Sequence, residues 1–283
     1  MLQIIFLYLN HQIDWSMLTF IVPVKSRLVA SDWDKFSQLL ERTLKSICNQ
    51  TDSNFKVVVV CHEIPEIDLV HDSLHFIHPN FEPPSKENIS QKQYFINQRM
   101  DKGNKIKLGV DYAIKKFNTD YVMLVDSDDF VSNKVTSFVN NSKNELPGWY
   151  VAKGYLSYGW KNILIVTKKF NWLCGSSIIV KPDLVQHFFD KGKIGLYFDH
   201  RLTILHSNIE LKRVPFMAAI YNMGNGENIY MSFKNLKSFS QYGNWISLKG
   251  LNRLGSRLKN YRFRFITPGL RKEFNFYPTT TNN

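Results

Sequence analysis

At 283 residues, with 44% apolar and 14% aromatic content, the chain has enough apolar material for one large α/β domain or two smaller ones, which excludes a disordered or fibrous protein. A formal charge of +12 points to acidic partners: nucleotide phosphates, anionic lipid or nucleic acid. Three cysteines, Cys48, Cys61 and Cys174, have no CxxC spacing and leave an odd thiol under any pairing, which fits a reducing compartment better than a disulfide framework, so free thiols are expected.

The apolar start, Leu2 to Leu9, has no basic segment before it and is too short to span a bilayer. Residues 1–16 are therefore expected to be an extension, and the protein to be cytoplasmic. Met17 to Val24 predicts a buried strand, Trp33 to Asn49 a helix through Phe36, Leu39, Leu40, Leu44 and Ile47, and Phe55 to Cys61 a second buried strand. Together they form a β-α-β unit with parallel strands. His71 to Gln98, with Pro79, Pro83 and Pro84, predicts a long loop with a short helix near its end. Asn104 to Phe117 has helical spacing through Ile106, Val110, Ala113, Ile114 and Phe117.

Tyr121 to Val125 is continuously apolar, as a strand buried on both faces should be, and Asp126, Ser127, Asp128 and Asp129 follow it. Carboxylates at the carboxyl end of such a strand sit where α/β sheets bind ligands. Three of them in four residues repel unless a cation neutralises them, and hard oxygen donors suit Mg²⁺ or Mn²⁺. A solvated turn with ordinary N-cap residues is the competing reading. Further on, Trp149 to Gly159, Asn162 to Val166 and Cys174 to Val180 read as strands, and Pro182 to Phe189 as a helix opened by its proline.

The pieces in order are PVKS at Pro23 to Ser26, VVVVCHE at Val57 to Glu63, DKGNK at Asp101 to Lys105, and the DSDD run. They resemble the nucleotide-sugar-binding half of GT-A fold glycosyltransferases of the family-2-like group, over about Met17 to Asn133. The resemblance implies a Rossmann-like mixed α/β sheet flanked by helices. It divides off a catalytic domain at 17–230, with a nucleotide half at 17–133 and an acceptor half at 134–230; the charge distribution marks the remainder, 231–283, as a basic C-terminal helical extension. The resemblance also implies a nucleotide-sugar donor, a hydroxyl acceptor and a DxD motif that binds Mn²⁺ or Mg²⁺. By that likeness Asp126 faces the ribose, Asp126 and Asp128 hold the metal, and Pro23 and Lys25 border the nucleotide.

Lys102, Lys105 and Lys107, taken as near a helix start, need an anion such as a diphosphate to be favourable there, although solvated lysines are the plain alternative. Where the family carries an Asp for the base, this chain has Cys61, His62 and Glu63. Glu63 is able to accept from a uracil imide, so a UDP-sugar is favoured. An inverting reaction needs a base, for which Asp199 is the first candidate and His200 the rival. Trp172, Gly175 and Ser176 resemble an acceptor-facing segment, with Trp172 stacking on a sugar or simply packed in the core. The late metal-binding His of some GT-A enzymes is replaced by Asn225, in the run Asn225 to Tyr230.

No acidic residue lies between Glu227 and Glu273, where Lys249, Arg253, Arg257 and Lys259 surround Leu251, Leu254 and Leu258. A basic amphipathic helix over Ile246 to Phe265 is expected either to pack on the catalytic domain or to lie on an anionic membrane, which would suit a glycan or lipid-linked acceptor. Three rivals stay open: a sugar-phosphate nucleotidyltransferase, which normally has a Gly-rich loop after the first strand; a non-catalytic scaffold; and a basic nucleic-acid-binding protein, for which no recognisable motif is present.

Overall fold

In the computed structural model the described residues are 16–142, 146–158, 162–190, 197–201, 209–223 and 261–277. The chain opens with β1 (Leu18–Pro23), α1 (Trp33–Ile47), β2 (Phe55–Val60), β3 (Leu74–Ile77), α2 (Gln91–Phe117) and β4 (Tyr121–Leu124). β5 (Phe130–Val131), α3 (Val135–Asn140), β6 (Gly148–Tyr150), β7 (Gly154–Ser157), β8 (Ile163–Thr167), α4 (Phe170–Leu173) and β9 (Ile178–Val180) follow. After a 3₁₀ segment at Pro182–Phe188 come β10 (Phe189–Asp190), β11 (Tyr197–Phe198), β12 (Lys212–Arg213), β13 (Ala219–Asn222), β14 (Tyr261–Phe265) and α5 (Pro268–Phe274).

The architecture is mixed α/β. Seven strands form one sheet in the order β12-β6-β9-β4-β1-β2-β3, with β4, β1, β2 and β3 parallel and β9 antiparallel to β4 and β6. β1, β2 and β4 are mostly apolar and buried because both their faces are covered, whereas the edge strand β3 is only half-buried. Leu18, Phe20 and Val22 pack against Phe36, Leu40 and Leu44 of α1, and Ile21, Val58, Val60, Val122 and Leu124 against Ile106, Val110 and Ala113 of α2. Gly109 makes the second contact possible: a Cβ there would come within 2.7 Å of Ile21 and 3.0 Å of Val60. α1 starts where Asp32 accepts the Lys35 backbone N–H, and α2 where Ser90 accepts that of Gln93. Asn118, at φ 52°, ends α2 in the left-handed conformation.

The loop expected over His71 to Gln98 contains β3 and the first turns of α2, which spans 27 residues. DKGNK is consequently the middle of a helix and not a turn before one. A second sheet, β14-β8-β7-β13-β5, lies after the acidic run, with β14 antiparallel to β8. The helix expected to end at Phe265 is thus a strand over Tyr261–Phe265, while residues 246–260 of that expectation lie outside the described residues, as do residues 1–15 of the N-terminal extension. Ser16, counted with that extension, is buried, and its carbonyl accepts from Asn54.

The end of the basic region is tied to the body. Leu270, Phe274 and Phe276 pack on Phe130 and Tyr155, and Glu273 accepts from Ser132 and Lys134. Cys48, Cys61 and Cys174 are free thiols. Among the described residues no helix is long and apolar enough to cross a membrane.

Candidate active site

β4 delivers the acidic run to the carboxyl edge of the parallel strands, where Val125 still donates to the Ile21 carbonyl and Asp129 N–H turns back to the Asp126 carbonyl. The three carboxylates relieve their repulsion in different ways. Asp129 is fully buried and accepts from the Cys174 thiol (2.9 Å), the Ser176 hydroxyl (2.6 Å) and the Asn222 backbone N–H (3.1 Å). Burial, with Asp128 and Asp126 beside it, holds its carboxyl well above the usual range. It is a structural anchor joining β4 to the α4–β9 turn and to β13. Asp126 stays partly exposed and takes the Lys102 ammonium at 2.5 Å. Burial opposes the charge on Lys102, but Asp126, with Asp128 and Asp129 behind it, holds its pKa above the ordinary value.

A cavity of about 590 Å³ opens over this edge, bordered by Pro23 and Lys25 from the end of β1 and by Asp126 and Asp128 from the end of β4. α2 contributes a helical stripe, Gln98, Asp101, Lys102 and Lys105. Lys102 and Lys105 lie more than ten residues into α2, so no helix N-terminus is available to justify them. Lys102 answers the carboxylates of the β4 edge. Lys105, expected to meet a phosphate, is fully buried and donates to Asp101 (2.8 Å) and to the Val24 carbonyl (2.8 Å); burial pulls it down from its ordinary pKa. Lys107 is exposed. Glu63 is not part of the cavity wall, and its carboxylate accepts the Arg27 backbone N–H at 3.1 Å.

Trp172, Gly175, Asp199, His200, Arg201 and Tyr221 also line it. Trp172 is 44% exposed at the cavity and is not a core residue. Gly175 makes room for a carboxylate of the protein itself, since a Cβ there would stand 3.0 Å from Asp126 Oδ2. Ser176, expected to face an acceptor, is fully buried, its hydroxyl accepting from the Asp126 N–H (2.8 Å) while donating to Asp129.

Asp199 and His200 are brought to the cavity together but with different charge states. Asp199 is held by the Arg201 guanidinium through Nε (2.8 Å) and Nη2, and by the Arg201 backbone N–H (2.9 Å). Burial pushes its carboxyl up, and these bonds outweigh it, leaving the group below the usual carboxylate range. Burial pushes His200 below the ordinary histidine value, against the opposing pull of Asp126. At neutral pH His200 is the neutral imidazole and Asp199 a satisfied anion.

Sequence reasoning missed Gln98, Asp101, Arg201 and Tyr221 as lining residues. The helical spacing from Gln98 to Lys105, and an Asp four residues before a Lys, were signals for the first two. Tyr221 arrives on β13 from far along the chain and had none. For a divalent cation, the donor set fits: Asp126 and Asp128 offer hard oxygens, and Asp126 already draws a cation. Among the described residues no group of three or more His, Cys, Asp or Glu converges, so other donors would have to complete the shell of such an ion. Asn225 and Glu227 lie outside the described residues.

No known protein family and no curated protein matches the sequence significantly. Among solved structures, the fold is similar to a protein assigned as a nucleotide-diphospho-sugar transferase from Desulfovibrio desulfuricans G20, at TM-score 0.35 and 12% identity over 86% of this chain and 95% of that one. It is also similar to Francisella tularensis 2-C-methyl-D-erythritol 4-phosphate cytidylyltransferase, at TM-score 0.36 and 12% identity over 80% of this chain and 99% of that one. At those scores neither likeness bears on what this chain does.

Proposed function

We propose that the protein is a GT-A-type glycosyltransferase, moving a sugar from a nucleotide-sugar donor to a hydroxyl acceptor, a glycan or lipid-linked glycan. The observation that carries this is the pair Asp126 and Asp128 at the carboxyl end of a buried parallel strand, with the Lys102 ammonium beside them, in a cavity that also holds His200 and Trp172. Asp126 and Asp128 would hold Mg²⁺ or Mn²⁺, whose charge, when bound, stabilises a diphosphate leaving group. Lys102 adds a fixed positive charge on the same side. Trp172 offers a face for a sugar ring. His200, neutral at physiological pH, takes the proton from the acceptor hydroxyl as it attacks the anomeric carbon, which gives inversion; Asp199 serves to hold the loop through Arg201.

The test is a thermal-shift and turnover panel of nucleotide-sugars with and without Mn²⁺. Binding to the native state raises the melting temperature, and release of nucleoside diphosphate on adding acceptor marks transfer. Pyrophosphate release from a nucleoside triphosphate and a sugar 1-phosphate would instead make the protein a nucleotidyltransferase. Failure of every nucleotide to bind would leave a scaffold.

A further inference from the structure

Asp101 holds a carboxylate oxygen that nothing in the described protein satisfies. Its Oδ2 accepts from Lys105 at 2.8 Å, but its Oδ1 is buried with no hydrogen-bond partner. The side chain is 9% exposed and lines the cavity. A buried acceptor left without a donor costs free energy of about 1–3 kcal/mol, so such a group is expected to meet one when the site is filled. The adjacent His62 does not supply it. Its Nε2 lies 2.8 Å from the Phe81 carbonyl, and its Nδ1 is buried and makes no hydrogen bond to Asp101 or to any other group.

The place of Asp101 identifies the donor it awaits, given the glycosyltransferase reading on which this inference rests. Gly109 abuts Ile21 and Val60, and Asp101 lies two turns earlier on a helix antiparallel to the strands, hence beyond their carboxyl ends. There Lys105 reaches the Val24 carbonyl after β1, with Cys61 at the end of β2 close by. The metal-binding carboxylates stand at the end of β4, on the other side of β1. A nucleotide laid along this edge with its diphosphate at Asp126 and Asp128 points its base at Asp101. Lys105 is fully buried and committed to Asp101 Oδ2 and the Val24 carbonyl, which leaves Asp101 Oδ1 as the acceptor without a donor.

We propose that Asp101 is the specificity residue for the nucleobase: Oδ1 accepts the lactam N–H of uracil, thymine or guanine. Cytosine and adenine carry no ring proton at the corresponding nitrogen.

Calorimetry in Mn²⁺ with the five nucleoside diphosphates, and with inorganic pyrophosphate as a base-free probe, tests this. The lactam bases are expected to bind at least about 10-fold tighter than cytidine and adenosine diphosphates. On the wild-type protein, methylation of the lactam nitrogen, in N3-methyl-UDP or N1-methyl-GDP, removes that advantage. Asp101→Asn compresses the ranking toward equality and leaves pyrophosphate affinity unchanged. Equal binding of methylated and unmethylated bases overturns the role, as does a uniform loss in Asp101→Asn that includes pyrophosphate, which would mark a purely structural residue. Should that variant fail to fold, the methylated bases decide alone. Wild-type protein that binds neither pyrophosphate nor any diphosphate overturns the glycosyltransferase reading and this inference with it; binding without base discrimination overturns only the inference.

Discussion

Asp126 belongs to a run of three carboxylates and is met by Lys102, whereas Asp199 is matched one to one by the Arg201 guanidinium on its own loop. Both acids line the same cavity. In the first region three acids share one edge, and burial with their mutual repulsion already pushes Asp129 up, so a further cation there would relieve them. The second is electrically balanced and asks for none. The lesson is that an acid in a cleft becomes a ligand or a base according to what already holds it, and that sequence spacing alone does not report this.

The largest effect is expected at the unbalanced end. Asp128→Ala should reduce turnover by about a thousandfold or more and abolish Mn²⁺-dependent nucleotide binding, since one carboxylate cannot hold a weakly coordinated ion. The fold should survive, because the change relieves repulsion on Asp126 and Asp129. Calorimetry showing unchanged nucleotide affinity with Mn²⁺ would remove the distinction between the two acidic regions.

At the balanced end the partner of Asp199 matters less than its neighbour. His200→Ala is expected to lower turnover by about two to four orders of magnitude with donor binding retained, and Asp199→Asn by no more than about tenfold. The reverse ranking would return the base to Asp199. The pH profile sharpens the same contrast. A base must be deprotonated, so kcat/KM should fall as pH drops through the pKa of His200, which burial places below the ordinary value of about 6.5. Asp199, held below the ordinary carboxylate value of about 3.9, would put that limb far lower. In His200→Ala the limb should disappear.

The parallel strands and the acidic run were legible because continuous apolar stretches bounded by polar turns have few other solutions in an α/β chain. Three features were not. The first turns of α2 are polar, QKQYFINQRM, and Gly103 disguises the helix as a turn; the buried Asp101–Lys105 pair and the close approach at Gly109 hold it, and both depend on the sheet beneath. The division of labour among Asp126, Asp128 and Asp129 depends on Cys174, Ser176 and Asn222, distant in sequence, so three neighbouring acids looked alike. The strand at Tyr261–Phe265 carries alternating Arg and aromatic residues, a period-two pattern that the surrounding leucine spacing outweighed.

The smallest predicted effect isolates the geometry of Asp126. Gly175 has an ordinary backbone conformation, so Ala introduces no torsional strain, yet its Cβ would stand 3.0 Å from Oδ2 and 3.2 Å from Oδ1 of Asp126. Those atoms end a partly exposed side chain, so the carboxylate yields by a few tenths of an ångström while its backbone stays fixed by Ser176. Stability should change by less than about 1 kcal/mol. Metal-dependent nucleotide affinity should fall by only about three- to tenfold, because the charge is kept and only its aim is lost. The same variant should move the acid limb of the pH profile only slightly, since the Asp126 carboxylate that pulls on His200 keeps its charge and shifts by a few tenths of an ångström. A melting temperature lowered by more than about 5 °C would show instead that the turn, and not the carboxylate, absorbs the added methyl group.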